Sequence, residues 1–192
     1  MDFTRKARWV KYGNRNPNPA TLNYAGVVSS ESIQILLTHA DVHRVYVKSA
    51  DIWNAYLQAT TSEKHYIICG PEFGIENEGK RAVIVRDLYG GKFPGSDFWH
   101  HLISCMEHLG FESSKDYPDV WMRRSNRGDG ETTYYEYVLL YVDDCLFISD
   151  RAEYVIQSKI GNYFRLKEES IGDTGKYLGV KLRKVILYHR GD

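Results

Sequence analysis

Tyr134-Tyr135-Glu136-Tyr137-Val138-Leu139-Leu140-Tyr141-Val142-Asp143-Asp144-Cys145-Leu146-Phe147-Ile148 reads as two apolar, β-prone runs joined at an acidic pair. Successive side chains on a strand face opposite ways. Two adjacent aspartates can therefore serve one site only where the chain turns, and this pattern puts Asp143 and Asp144 at such a turn. Burying carboxylates between strands is costly unless a partner compensates their charge, and a divalent metal ion is the natural partner. A polar hairpin turn is the competing reading, because Asp is a common turn residue.

Roughly ninety residues upstream, Val45-Tyr46-Val47-Lys48-Ser49-Ala50-Asp51 alternates like a strand and ends on a third aspartate, followed by Ile52-Trp53-Asn54-Ala55-Tyr56-Leu57. A carboxylate at one strand end and a carboxylate pair on a separate hairpin are what two-metal nucleotidyl transfer requires. One ion activates a 3′-hydroxyl, the other steadies the departing pyrophosphate, and bridging both takes acidic residues from different strands.

In order and spacing, the Asp51-x-x-x-Ala55-Tyr56-Leu57 block, Leu88-Tyr89-Gly90-Gly91-Lys92 and Tyr141-Val142-Asp143-Asp144 resemble the reverse transcriptase of copia-type (Ty/copia, Pseudoviridae) LTR retrotransposons. Arg5-Lys6-Ala7-Arg8-Trp9-Val10 is similar to that family's fingers strand, and Tyr177-Leu178-Gly179-Val180 to its segment past the catalytic hairpin. The likeness runs from about residue 3 to about residue 183.

The resemblance implies that Asp51 and Asp143 are the principal ligands of two Mg²⁺ ions, with Mn²⁺ as a substitute. Asp144 supports them, and the Ile52 backbone carbonyl is a further candidate ligand. Tyr56 matches the residue whose ring excludes a ribose 2′-hydroxyl, against a plain core aromatic. Lys6 and Arg8 resemble cations that neutralise the triphosphate. Gly90, Gly91 and Lys92 belong to the block that touches template and incoming nucleotide, where glycines let backbone approach closely. That block departs from the family's commoner Leu-Tyr-Gly-Leu-Lys-Gln-Ala-Pro-Arg, since Phe93 stands for the Gln, Pro94-Gly95 for Ala-Pro and Ser96 for the Arg. Lys167 is similar to a polymerase lysine proposed to protonate pyrophosphate, but reads better as a solvated strand-end lysine.

Composition sets bounds on these readings. At 192 residues, 43% hydrophobic and 26% charged, the chain suits one core or two small lobes and is neither disordered nor fibrous. Its net charge of zero gives no global case for nucleic-acid binding, so any such case is local. Arg5, Lys6, Arg8, Lys11 and Arg15, interleaved with Phe3, Trp9 and Tyr12, provide one, with a solvated basic strand as the equal alternative. Cys69, Cys105 and Cys145 form no CxxC pair, which favours reduced thiols in the cytoplasm or nucleus. No apolar run approaches a membrane span.

The expected fold class is α+β, a reverse-transcriptase-like palm built as a split βαβ unit. Its antiparallel sheet carries helices on one face and the acidic residues on the other, with a partial fingers subdomain. Helices are expected from an N-cap at Ser30, over Ser96 to Leu109, and over Ala152 to Tyr163. Strands are expected at Tyr66–Cys69, Ala82–Val85, Phe164–Lys167 and Lys176–Lys184. Residues 1–42 and 60–95 read as fingers-like, and 43–59 and 96–184 as palm-like.

The leading expectation is an RNA-directed DNA polymerase core acting on an RNA or DNA template with primer and deoxynucleoside triphosphates. The thumb, ribonuclease H and integrase of a retrotransposon polyprotein are expected beside it but are not recognisable, which leaves a truncated or inactive fragment open. The alternatives are a transposon-derived remnant that binds nucleic acid or protein without catalysis, and another palm-like enzyme such as a nucleotide cyclase.

Overall fold

The computed structural model describes residues 9–12 and 28–185; Lys6, Arg8 and the 13–19 loop lie outside the described residues. In chain order the elements are α1 (Ser30–Val42), β1 (Tyr46–Asp51), β2 (Thr60–Ile68), β3 (Arg81–Arg86), α2 (Pro94–His108), β4 (Glu112–Ser113), β5 (Val120–Asn126), β6 (Thr133–Tyr141), β7 (Asp144–Ser149), α3 (Ala152–Ser158), β8 (Gly172–Asp173), β9 (Lys176–Tyr177) and β10 (Val180–Lys181). The chain divides into two compact units, Met1–Gly26 with Asn54–Leu109, and Val27–Trp53 with Gly110–Asp192. A mixed α/β fold with antiparallel sheets agrees with the expected class.

The second unit holds a six-stranded sheet in the order β4-β5-β6-β7-β1-β8, antiparallel throughout. Its centre is β7, where every residue from Cys145 to Ser149 is buried, so both faces of that strand are covered. Leu146 and Ile148 join Leu139, Val45, Tyr177 and the α1 residues Leu36 and Ala40 in one apolar cluster. Cys145 and Phe147 project to the opposite side. Helices α1 and α3 both lie against β1 and β7. Each fully buried Leu, Ile or Phe of this kind contributes about 1.5–3 kcal/mol.

The sheet also buries one charge. Glu136, 1% exposed, accepts from Arg123 Nε at 3.1 Å and Nη2 at 2.6 Å, from Tyr134 Oη at 3.1 Å and from Ser149 Oγ at 3.0 Å. These bonds join β5, β6 and β7 and satisfy the carboxylate fully, which a buried charge requires. Burial pushes the Glu136 pKa upward, but the Arg123 guanidinium and the hydroxyls outweigh it and hold the group below the ordinary glutamate range.

Several boundaries differ from the sequence expectation. Ser29, not Ser30, caps α1: its backbone is extended and its Oγ accepts the Ser32 N–H at 3.0 Å. Helix α3 stops at Ser158, and a single 3₁₀ turn, Ile160–Asn162, carries the chain through Gly161. The strand expected at Phe164–Lys167 shrinks to one bridge between Ile52 and Leu166. The expected strand at Lys176–Lys184 is a tight hairpin of β9 and β10, turned by Leu178 (φ +47°) and Gly179 (φ +82°). Positive φ at both central residues is the signature of a type I′ turn.

In the first unit, β2 and β3 form an antiparallel ribbon. Helix α2 starts at Pro94, two residues ahead of expectation, with proline in the first turn where its missing N–H costs nothing. It buries Phe98, Leu102, Cys105 and Met106. Asp97 in that first turn accepts from the Ser62 N–H at 2.8 Å and Oγ at 2.9 Å, tying α2 to β2.

Candidate active site

The register of the second unit brings the acidic residues together. Asp144 opens β7 and is paired with Asp51, the last residue of β1, on one side and with Tyr141, the last of β6, on the other. Val142 and Asp143 form the two-residue turn between β6 and β7. Val142 has φ +53°. A β-branched residue in left-handed backbone costs about 1–2 kcal/mol, and strain of this kind concentrates where a side chain must be aimed. The Asp143 carbonyl accepts the Ile52 N–H at 2.8 Å, so the turn is tied to the chain just past β1. In antiparallel pairing a residue's N–H and C=O point to the same side, which directs the Ile52 carbonyl toward the turn as well.

Asp51 is held from a third direction. Its N–H donates to Ser170 Oγ at 2.8 Å, that hydroxyl donates to the Lys167 carbonyl at 2.7 Å, and the Lys167 N–H donates to the Asp51 carbonyl at 2.9 Å. The Lys167 ammonium closes an ion pair with Asp51 Oδ2. Asp51 Oδ1 is buried and has no hydrogen-bond partner. The reading of Lys167 as a solvated strand-end lysine is therefore corrected. The Ile52–Leu166 bridge places Lys167 opposite Asp51, and 30% of its side chain stays exposed.

Electrostatics follows from that geometry. Burial, then the charges of Asp143 and Asp51, push the Asp144 carboxyl above the ordinary aspartate range, with Lys167 pulling the other way. Burial opposes the Lys167 ammonium, but its hydrogen bond to Asp51 and the charges of Asp51, Asp143 and Asp144 keep its pKa above that of an ordinary lysine.

Among the described residues no three His, Cys, Asp or Glu side chains converge as a ready cage for a metal ion. One Asp51 oxygen is given to Lys167 and the other is bare. The donors nonetheless fit a hard divalent cation chemically: a buried carboxylate oxygen lacking any partner, with a second carboxylate directly across the sheet and a third in the adjoining turn.

The remaining site candidates lie in the first unit. Tyr56 sits in the 3₁₀ turn Ala55–Gln58, half-buried, its ring centroid 5.0 Å from Tyr89 and 6.1 Å from Phe98. Gly90 has φ +81°, and a Cβ there would meet the Lys11 carbonyl oxygen at 2.4 Å. Only glycine allows the Val10–Lys11 segment to bridge Tyr89 this closely. A Cβ on Gly91 would run into the Pro94 ring at 2.9 Å, and Lys92 is half-buried. Cys145 is buried in β7, and His100 and His101 are exposed on α2.

Lys167 and Ser170 are the site residues whose part the sequence reading missed. Both approach Asp51 through hydrogen bonds between segments more than a hundred residues apart, which no local pattern announces.

A family model described as reverse transcriptase (RNA-dependent DNA polymerase) matches residues 2–187. No match was found among curated proteins. The chain belongs to the reverse transcriptase family, in its copia-type branch.

Proposed function

We propose that this member of the reverse transcriptase family is a fingers and palm core that extends a primer 3′-hydroxyl on an RNA or DNA template. The observation that carries the reading is the cross-strand pairing of Asp51 with Asp144 beside the Asp143 turn, with Asp51 Oδ1 buried and unsatisfied. Asp51 and Asp143 hold the catalytic cations, Asp144 supports them, and the Ile52 carbonyl offers a further oxygen. When bound, two Mg²⁺ ions supply activation of the attacking hydroxyl and stabilisation of the leaving pyrophosphate.

The other residues bind and select. Lys6 and Arg8 neutralise the triphosphate, Gly90, Gly91 and Lys92 let the backbone approach template and nucleotide, and Tyr56 excludes the ribose 2′-hydroxyl. Tyr141 and Val142 set the turn that aims Asp143.

A primed-template extension assay with the purified chain tests this reading. Incorporation of deoxynucleotides that stops on chelation of Mg²⁺ is expected. Binding of primer–template without incorporation, at any Mg²⁺ or Mn²⁺ concentration, would reject catalysis and leave a nucleic-acid-binding remnant.

A further inference from the structure

We propose that Lys167 is a built-in counter-ion of the Asp51 carboxylate, a positioning residue that a divalent cation must displace before Asp51 ligates it. The proposal rests on the assignment of Asp51 as a metal ligand. It starts from the unequal treatment of the two Asp51 oxygens: Oδ2 is paired with the Lys167 ammonium, whereas Oδ1 is buried and bare.

A half-satisfied carboxylate facing two like charges is unstable in a partly dry site, and the ammonium offsets that cost while no metal is bound. The backbone around the pair is fixed. Lys167 N–H and Ser170 Oγ clip the Asp51 carbonyl and N–H from one segment, so exchange of partners requires only side-chain rotation. Lysine suits this role because its ammonium rides on a flexible four-carbon stem and makes no planar, two-pronged grip on the carboxylate. With 30% of its side chain exposed, it has a route to solvent.

The consequence is a competition. While the ammonium occupies Asp51, only the fraction of molecules with Lys167 swung away is ready to take the cation, and the apparent affinity falls by that fraction. A lysine with a purely structural role predicts the opposite, because removing it would disorder Asp51 and weaken binding.

The test is Mn²⁺ titration of the purified chain without nucleotide or nucleic acid, with free Mn²⁺ read by electron paramagnetic resonance. Lys167→Met keeps the stem and removes the charge, and should bind Mn²⁺ about fivefold more tightly than the parent, while Lys167→Arg stays within about twofold of it. Asp51→Asn, alone or combined with Lys167→Met, should lose the site. Lys167→Gln carries the same expectation as Lys167→Met should the latter fail to fold by circular dichroism. Equal or weaker binding by the uncharged variants, with Asp51→Asn still losing the site, overturns the counter-ion role and leaves the metal assignment standing. Parental binding by Asp51→Asn overturns both.

Discussion

Asp51 and Asp144 are direct cross-strand partners at the ends of β1 and β7, two carboxylates facing each other where the sheet stops. Like charges placed opposite one another destabilise a sheet, so this pairing carries a cost that the Lys167 ammonium beside Asp51 offsets in part and packing elsewhere must cover. The cost is consistent with a site arranged for a cation rather than for its own stability.

Asp144→Asn should therefore make the metal-free chain more stable. The amide keeps the size of the side chain and removes the charge that burial, Asp143 and Asp51 all disfavour. We expect a gain of about 1 kcal/mol in urea unfolding at pH 8 with chelator present. A loss of stability would mean that the Asp144 carboxylate makes an unrecognised favourable contact.

The Val142 backbone should also carry removable strain. Asn tolerates φ near +53° better than a β-branched residue does, without glycine's extra freedom in the unfolded chain. Val142→Asn should raise the unfolding free energy by about 0.5–1 kcal/mol. Val142→Ile keeps the branch and should give no gain; equal stability of all three chains would remove strain from the account of this turn.

Asp87 in the first unit should make stability fall as pH rises. The residue is 3% exposed and its Oδ2 is buried without a hydrogen-bond partner. Burial first, then the neighbouring Asp97 charge, push its pKa up to about 6, with Thr61 and Lys11 pulling back. The native chain then binds more protons than the unfolded one between the ordinary aspartate pKa and about 6. The stabilisation is complete below the unfolded value and is lost as pH rises through the folded one. From pH 5 to pH 8 the parent should lose about 1 kcal/mol more than Asp87→Asn, whose amide cannot ionise. Parallel urea curves for the two chains across that range would show that Asp87 titrates normally.

The parts of this molecule legible in the sequence were those written in local periodicity. The alternation of Val45–Asp51, the apolar runs flanking Asp143 and the apolar side of α2 predicted their elements closely. Strand β5 (Val120–Asn126) escaped, because Arg123 and Arg124 interrupt its alternation, and Arg123 is partly buried against the Glu136 carboxylate and the Phe111 ring. The Phe164–Lys167 segment reads as a strand but is used as a clip on Asp51, and its hydrogen bonds depend on a partner 116 residues away. Asp87 gives no sequence signal at all: its burial follows from the packing of β2, β3 and α2.

Tyr56 should govern sugar choice if its ring acts as proposed. The ring is steadied by Tyr89 and Phe98 rather than being free to swing, as steric exclusion requires. Tyr56→Val should raise the kcat/KM for a ribonucleotide relative to the matching deoxyribonucleotide by about tenfold or more. An unchanged ratio would reduce Tyr56 to a packing residue.

Nucleotidyl transfer by this chain is proposed to depend on Asp51 and Asp143. That dependence is tested most directly by single-turnover incorporation of one deoxynucleotide into a primed template with saturating Mg²⁺, comparing the parent with Asp51→Asn and Asp143→Asn. Incorporation by the parent is expected, with a fall of at least about a hundredfold in each variant and unfolding curves showing that both remain folded. Incorporation by either variant at the parental rate would contradict it.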